Sequence, residues 1–500
     1  MDVRAQTFAW GTEVRRGDGP IPFLQYSPRR HHVSEFIEDA ERWRDRVHLV
    51  QGSRRLTFGK VFEAWIRAGA LLALGNGWWS RRETEHAINL LQPSIVIADE
   101  KRRELLPEDQ RHVVDVDAIR KWTESAPPAG VPTRAASGPT SPVNGEENDP
   151  AVIVFTAGTT GDPKAAVLAH RSVIANLHSL LLVSGRLPQQ LDPAKLGAVI
   201  LQSGPMFHIG GIQALLLAML CGHTVVFLEG RFDAGQVLDV IERERVTVWG
   251  AVPTMASRVL DHPSLPSRDL SGVRSISLGG AAVQPELTAR LRLAFTGAGR
   301  GLSTIYGMTE TGGTVASASG ELMAEHPRTS GKPTPVSEIR IGSPDAEGAG
   351  EILVRTPGQM LGYWGHADAG IIDTDGWVHT GDLGRFEDGL LYVTGRSKDI
   401  IIRGGENIAS AHVESALLRH PAVRNVAVVA RPDPDLGERV GAAIQLDPAE
   451  LLSAEMLAEF ARTQLPNHEV PTDWWILTDE LPMTDAGKVD KRKLNASWPS

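Results

Sequence analysis

AVIVF at Ala151–Phe155 runs directly into TAGTTGDPK at Thr156–Lys164. The first five residues are a short, unbroken apolar run, the pattern of a strand buried on both faces. The polar stretch after it reads as a loop that binds phosphate. Gly158 and Gly161 let backbone N–H groups converge on anionic oxygens. Thr156, Thr159 and Thr160 add hydroxyl donors, and Lys164 adds a mobile positive charge. The spacing is not the GxxxxGK[ST] of a Walker loop, which argues against a kinase or γ-phosphate hydrolase. The plainer alternative is a polar turn between a strand and a helix.

Working outward, residues Ser125–Asp149 are rich in Pro, Ala, Gly, Ser and Thr without apolar period, and read as a linker or surface loop. Beyond Phe155, strands are predicted at 195–202, 224–228 and 246–249, with helices at 211–220 and 234–245. That alternation predicts a parallel sheet with crossover helices. After Pro344 the pattern changes to short strands with Gly and Asp turns, GEILVR, GWVHTGD and GLLYVTGR, which predicts a small β subdomain. A last unit begins near Arg396, with helices at 411–418 and 454–464 and strands at 423–430 and 440–446. The expected architecture is α/β: a large N-terminal domain (1–396) of parallel-type sheets with helices plus a small β subdomain, then a smaller mobile α+β C-terminal domain (397–500).

Composition bounds the function. Five hundred residues exceed one compact core, so two or more domains are expected. A net charge of −10, from 51 basic and 61 acidic residues, argues against a nucleic-acid partner. Cys221 is the single cysteine, so no internal disulfide forms, and a buried apolar role fits it. No signal peptide or transmembrane segment is read, since the apolar window 212–228 is broken by Cys-Gly-His. A reducing cytoplasm is the expected compartment, and a homodimer is one assembly the sequence admits.

Further motifs follow in order: YGMTET at 306–311, TGDLGRFEDG at 380–389, GRSKDIIIRGGENI at 395–408 and DAGKVDKRKL at 485–494. Together with the loop they resemble the acyl-CoA synthetase and AMP-forming adenylating-enzyme superfamily, in family order across Ala151–Leu494. The resemblance implies ATP, Mg²⁺ and CoA as cofactors and a small-molecule carboxylic acid as substrate. It implies that Glu310, with Thr159, holds Mg²⁺, and that Tyr306 stacks on adenine beside Gly279, Gly280 and Ala281, with Gly307 and Thr309 near the nucleotide. Asp382 and Arg396 would meet the ribose hydroxyls; without the family pattern they read as turn residues or ion-pair partners. Lys488 is implied as the lysine that pairs with the substrate carboxylate and α-phosphate, although alone it reads as a surface residue. Lys398 matches the hinge about which the C-terminal domain turns between adenylation and thioester formation, and Gly404 and Gly405 would then line the path of the CoA thiol.

PMFHIGG at 205–211 resembles the acyl-CoA ligase form of the acyl-pocket motif. His208, Gly211, Trp249, Gly280 and Met308 are expected pocket walls; a structural histidine and a core tryptophan are the alternatives. Relatives that activate amino acids carry an Asp there for the α-ammonium group, and this chain has none. A hydrophobic acid is therefore expected, aliphatic or aryl, with a fatty acid put first. Two departures stand out. Ala157 replaces the usual Ser, and LTFGKVFEAWIRAGALLALG at 56–75 runs straight into NGWWSRRETEHAINLLQPSIVIAD, so a strand–helix segment of relatives is missing near residue 75 and an exposed sheet edge is expected. The competing readings are an acyl-AMP ligase that loads a carrier protein, and a catalytically impaired acyl-adenylate-binding protein.

Overall fold

The computed structural model describes residues 8–61, 72–108, 110, 112–115, 146–156, 162–365, 370–447, 450, 452–484 and 487–499. Residues 62–71 of the stretch 56–75, and most of the linker read over 125–149, fall outside them.

The opening strand spans Pro150–Thr156 and is buried on both faces. Successive side chains point to opposite sides. Val152 and Val154 enter one core with Ala166, Leu168 and the helix His170–Val183. Ile153 and Phe155 enter another, with Ala165, Val167 and the helix Arg81–Leu91. The strand does not feed a helix directly. It turns back antiparallel into Lys164–Ala169, with Thr156 opposite Lys164, so the phosphate loop is a hairpin connection.

This hairpin belongs to a four-stranded sheet whose outer strands are Gly362–Tyr363 and Leu72–Leu74. A separate two-stranded sheet pairs Val96–Ala98 with Val113–Asp115. Leu72 and Ile97 stand more than half exposed at this corner.

The main sheet has nine strands, with a parallel centre running Leu302–Met308, Ser275–Gly279, Val248–Ala251, Val199–Gln202, Thr224–Phe227, Val47–Gln51. The predicted strands and helices of this region are present, with ends shifted by a few residues. The strand Val199–Gln202 is followed by a neighbour on one side and then by one on the other, so chain direction across the sheet reverses there. A crevice necessarily opens beyond the carboxyl ends of strands at such a point.

The small β subdomain is an antiparallel meander of Glu338–Gly342, Gly350–Arg355, Val378–Glu387 and Leu390–Arg396. The C-terminal unit is a five-stranded sheet with helices Ser410–Leu417, Ala454–Gln464 and Lys491–Ala496. Its strand Asp473–Leu477 and its last helix had no periodic signal strong enough to be read from sequence.

Candidate active site

One cleft runs along the carboxyl ends of the central strands and is closed on its far side by the C-terminal unit. Most of the residues singled out in the sequence converge on it.

Glu310 follows the strand Leu302–Met308 in a short 3₁₀ turn and is buried. A buried carboxylate needs partners. Tyr363 supplies one, its hydroxyl donating to Glu310 Oε1 at 2.6 Å. Tyr363 sits on the edge strand beside the phosphate hairpin, and the Lys164 ammonium lies 5.2 Å from its ring centroid. Burial first, then the Glu310 charge, push the Tyr363 phenol well above its ordinary range, so it stays a donor. Sequence reading missed Tyr363, because a lone Tyr in an LGYWG loop has no period or charge pattern to mark it.

Asp382 and Arg396 are cross-strand neighbours in the meander, and that register sets their ion pair, Arg396 Nε to Asp382 Oδ1 at 2.7 Å. The Tyr306 hydroxyl donates to Asp382 Oδ2 at 2.9 Å. Burial and then the Asp382 charge raise the Tyr306 phenol far above its usual value. Burial opposes the Arg396 charge, but the Asp382 carboxylate outweighs it and raises its pKa. The ion-pair reading of Asp382 and Arg396 therefore holds, within a cleft wall.

Lys488 is carried in by the C-terminal unit. Its Nζ lies 3.9 Å from where a Cβ on Gly280 would stand, and Gly280 has φ +81°, a conformation that suits glycine. Thr254 Oγ1 donates to the Gly487 carbonyl, Ser415 Oγ donates to Gln284 Oε1 at 3.1 Å, and Arg258 pairs with Glu480 at 2.6 Å, so the docking is held at three points. Lys488 is open to the solvent of the cleft yet walled by protein. Loss of bulk water foremost, then Arg396, lower its pKa, while Asp382 and Glu310 pull the other way. Gly279, Ala281, Gly307, Met308, Thr309 and Lys398 also line the cleft, with Lys398 exposed in the turn Ser397–Asp399.

Thr156 and Lys164 flank the phosphate loop on the cleft wall. Ala157, Gly158, Thr159, Thr160 and Gly161 lie outside the described residues. His208 caps the start of the helix Ile209–Cys221, with its ring centroid 4.5 Å from that of Phe207, and lines the cleft with Gly211.

One expectation is corrected, and one concerns a different arrangement of the C-terminal unit. Trp249 is not a pocket wall: its strand alternates, so Val248 and Gly250 face the cleft while Trp249 is fully buried against Phe295, its Nε1 donating to Ser203 Oγ at 3.0 Å. Gly404 and Gly405 are not brought to the cleft. They form the exposed turn between Ile400–Arg403 and Glu406–Ala409 in the arrangement that seats Lys488.

Among the described residues no group of three or more His, Cys, Asp or Glu could hold a metal ion. The donor set still fits a hard cation shared with phosphate oxygens. Glu310 is a single buried carboxylate with one oxygen held by Tyr363, leaving Oε2 for a cation that takes its other ligands from substrate and water. No described helix is long and apolar enough to cross a membrane.

A large parallel sheet, a β meander and a small α+β unit that lowers a lysine into their shared cleft define the class of AMP-forming adenylating enzymes. The chain belongs to the AMP-binding enzyme family: that family's sequence profile matches residues 44–364, and the profile of the AMP-binding enzyme C-terminal domain matches 412–488. It is 32% identical over 500 residues to a feruloyl-CoA synthase of Amycolatopsis sp, covering 98% of this chain and 96% of that protein. It is 32% identical over 357 residues to a long-chain-fatty-acid–CoA ligase of Bacillus subtilis (strain 168), covering 70% and 62%. Among solved structures, the o-succinylbenzoate CoA synthetase of Bacillus subtilis in complex with its acyl-adenylate intermediate superposes with a TM-score of 0.74 at 27% identity, over 92% of this chain and 97% of that one. The chain is an AMP-forming acid–CoA ligase, an activity that uses ATP, Mg²⁺ and CoA.

Proposed function

We propose that the chain activates a carboxylic acid with a hydrophobic body, aliphatic or aryl, as its adenylate and passes the acyl group to CoA. The carrying observation is convergence: Lys488 from the C-terminal unit, Glu310 from the main sheet and the Asp382–Arg396–Tyr306 set from the meander share one cleft.

In this reading Tyr306 and Gly279–Ala281 cradle the base, and Asp382 accepts from the ribose hydroxyls while Arg396 holds it in place. The phosphate hairpin, Thr156 to Lys164, grips the phosphates, and Glu310 with Thr159 would hold Mg²⁺, which when bound neutralises charge on the phosphate oxygens. Lys488 lies between the incoming carboxylate and the α-phosphate. It stabilises both the approach of two anions and the charge gathering on phosphorus. No general base is needed, because the acid is already ionised near neutral pH. A C-terminal domain beginning after Arg396 turns about Lys398 for the second step and brings Gly404 and Gly405 to the thiol path. The work takes place on small molecules in the reducing cytoplasm, which suits a chain with one buried thiol.

The test is pyrophosphate release from ATP with a panel of alkanoic and aryl acids, with and without CoA. Acid-dependent release with a thioester product only when CoA is present is expected. No release with any acid would overturn the proposal, and release without thioester would favour loading of a carrier protein.

A further inference from the structure

The helix Arg81–Leu91 lies against the phosphate hairpin. It is closed at its start by a capping box, in which Ser80 Oγ accepts from the Glu83 N–H and the Glu83 carboxylate accepts from the Ser80 N–H. Ala87, Leu90 and Leu91 pack into the same core as Ile153 and Phe155 of one hairpin strand and Ala165 and Val167 of the other. Trp79, just before the helix, stands edge-on to Phe155 with 4.8 Å between ring centroids, and lines the cleft. The helix is therefore held at a fixed distance from both strands of the hairpin.

Arg82, His86 and Leu90 follow one another at intervals of four, so they share one face of that helix. Leu90 packs against the core, His86 Nε2 lies 3.2 Å from the Pro163 carbonyl, and Arg82 pairs with Asp162 at 3.0 Å. A carbonyl only accepts, so the His86 ring must donate from Nε2. The Arg82 side chain is 81% exposed and its ion pair adds little. The half-buried His86 bond matters because of where it falls. Strand pairing begins at Lys164, opposite Thr156, and Pro163 is the residue before it. The Pro163 carbonyl and the Lys164 N–H belong to one rigid peptide plane. Holding the carbonyl holds the plane from which the Lys164 side chain leaves for the cleft that it lines.

From this we infer that His86 is a positioning residue for the first half-reaction. It does not itself line the cleft; it holds the Pro163–Lys164 plane so that the Lys164 ammonium meets the phosphates already aligned. The inference rests on the reading of Thr156–Lys164 as the loop that grips the phosphates of ATP. Acyl-AMP has lost the pyrophosphate, so the second half-reaction needs that grip least.

The experiment uses the full-length protein and the acid of the panel above that gives the fastest ATP–pyrophosphate exchange. It measures KM for ATP and for that acid in exchange, and thioester formation from the supplied acyl-AMP and CoA. His86→Leu is expected to raise KM for ATP at least about threefold, the scale of one lost neutral hydrogen bond. KM for the acid and thioester formation should stay within about twofold. His86→Gln, whose amide N–H reaches the same carbonyl, should restore KM for ATP. Lys164→Ala should raise KM for ATP by itself, and His86→Leu added to it should raise it no further, because His86 acts through Lys164. A smaller rise in His86→Leu overturns the inference, as do additive effects in the double variant. A loss shared equally by both half-reactions, or a Gln variant no better than Leu, also overturns it, because His86 then only props the fold. If Lys164→Ala leaves KM for ATP unchanged, the phosphate-loop reading falls, and the role of His86 with it. Should His86→Leu fail to fold, as its melting temperature will show, His86→Met carries the same expectations. Absence of exchange with every acid overturns the ligase reading itself.

Discussion

On the proposed reading, replacing Lys488 with alanine should separate the two half-reactions. In the structure its ammonium lies over Gly280, with Arg396, Asp382 and Glu310 as the charges that act on it. Two unit charges about 4 Å apart interact by about 4 kcal/mol at an effective dielectric constant near 20. Because Lys488 is open to cleft solvent, screening reduces this, and roughly 2–4 kcal/mol is the sensible range. That corresponds to a loss of about 30- to 1000-fold in adenylation, the range in which removal of one preorganised donor falls. The assay is ATP–pyrophosphate exchange for the first step and thioester formation from supplied acyl-AMP and CoA for the second. Adenylation should collapse while thioester formation from supplied acyl-AMP is retained. A loss below tenfold in exchange, or equal losses in both assays, would refute the placement of Lys488. Its lowered pKa gives a second handle: the active form is the ammonium, so adenylation must fall as pH rises through a value below the ordinary 10.5. Lys488→Arg should move that alkaline limb upward.

Tyr363→Phe removes the donor to Glu310, a bond to a charged group of about 1.5–3 kcal/mol, and should cut adenylation at least about tenfold without touching the second step; an unchanged exchange rate counts against Tyr363 as the residue that positions Glu310. Asp382→Asn keeps the shape but loses the charge facing Arg396, so KM for ATP should rise more than tenfold with kcat less affected, and a change in melting temperature alone would deny it the ribose role. Trp249→Phe should destabilise by about 1–3 kcal/mol in urea unfolding while leaving the order of preference among acids unchanged; altered chain-length preference would return Trp249 to the pocket. Burial pushes His48 and His178 down to about 4 and His223 down to about 3, so each stays neutral in the fold while the unfolded chain takes a proton near pH 6.5. Stability is therefore full above about pH 6.5 and falls as pH drops, by about 1.4 kcal/mol per histidine and about 4 kcal/mol in total between pH 7.5 and 5.5; a urea midpoint unchanged across that window would contradict it.

Strand AVIVF was legible because burial on both faces leaves no polar position, and that signal is contained in five consecutive residues. The central strands and helices were legible for the same kind of reason, each bounded by a change of period. What followed the phosphate loop was not. Whether a strand turns back as a hairpin or continues into a helix depends on what covers its edge, here Gly362–Tyr363 from nearly two hundred residues away. Glu310, Asp382, Arg396 and Lys488 were found through motifs that carry charge. Tyr363 and Gln213 were missed because their partners are distant in sequence: Glu310 for Tyr363 and Asn176 for Gln213. Trp249 shows the reverse error. An aromatic at a strand end looks like a pocket wall until the pleat decides which face it takes.

The same pleat explains why specificity and chemistry separate in this cleft. Strand ends present alternate residues, so a position next to the reacting centre belongs either to the core or to the ligand. A side chain at Gly250 would meet nothing within 4 Å, whereas Trp249 beside it is sealed in the core. The groups proposed to carry the chemistry avoid that constraint by sitting just past strands or across a meander: Glu310 in a 3₁₀ turn, Asp382 and Arg396 in cross-strand register, Lys488 on a separate unit. Their positions are therefore independent of what the acyl wall carries. Gln202, held by the Gly204 carbonyl, and Gln213, held by the Asn176 side chain, lie on the wall side of that division. Altering them should change which acid is chosen and leave the nucleotide half of the site as it stands.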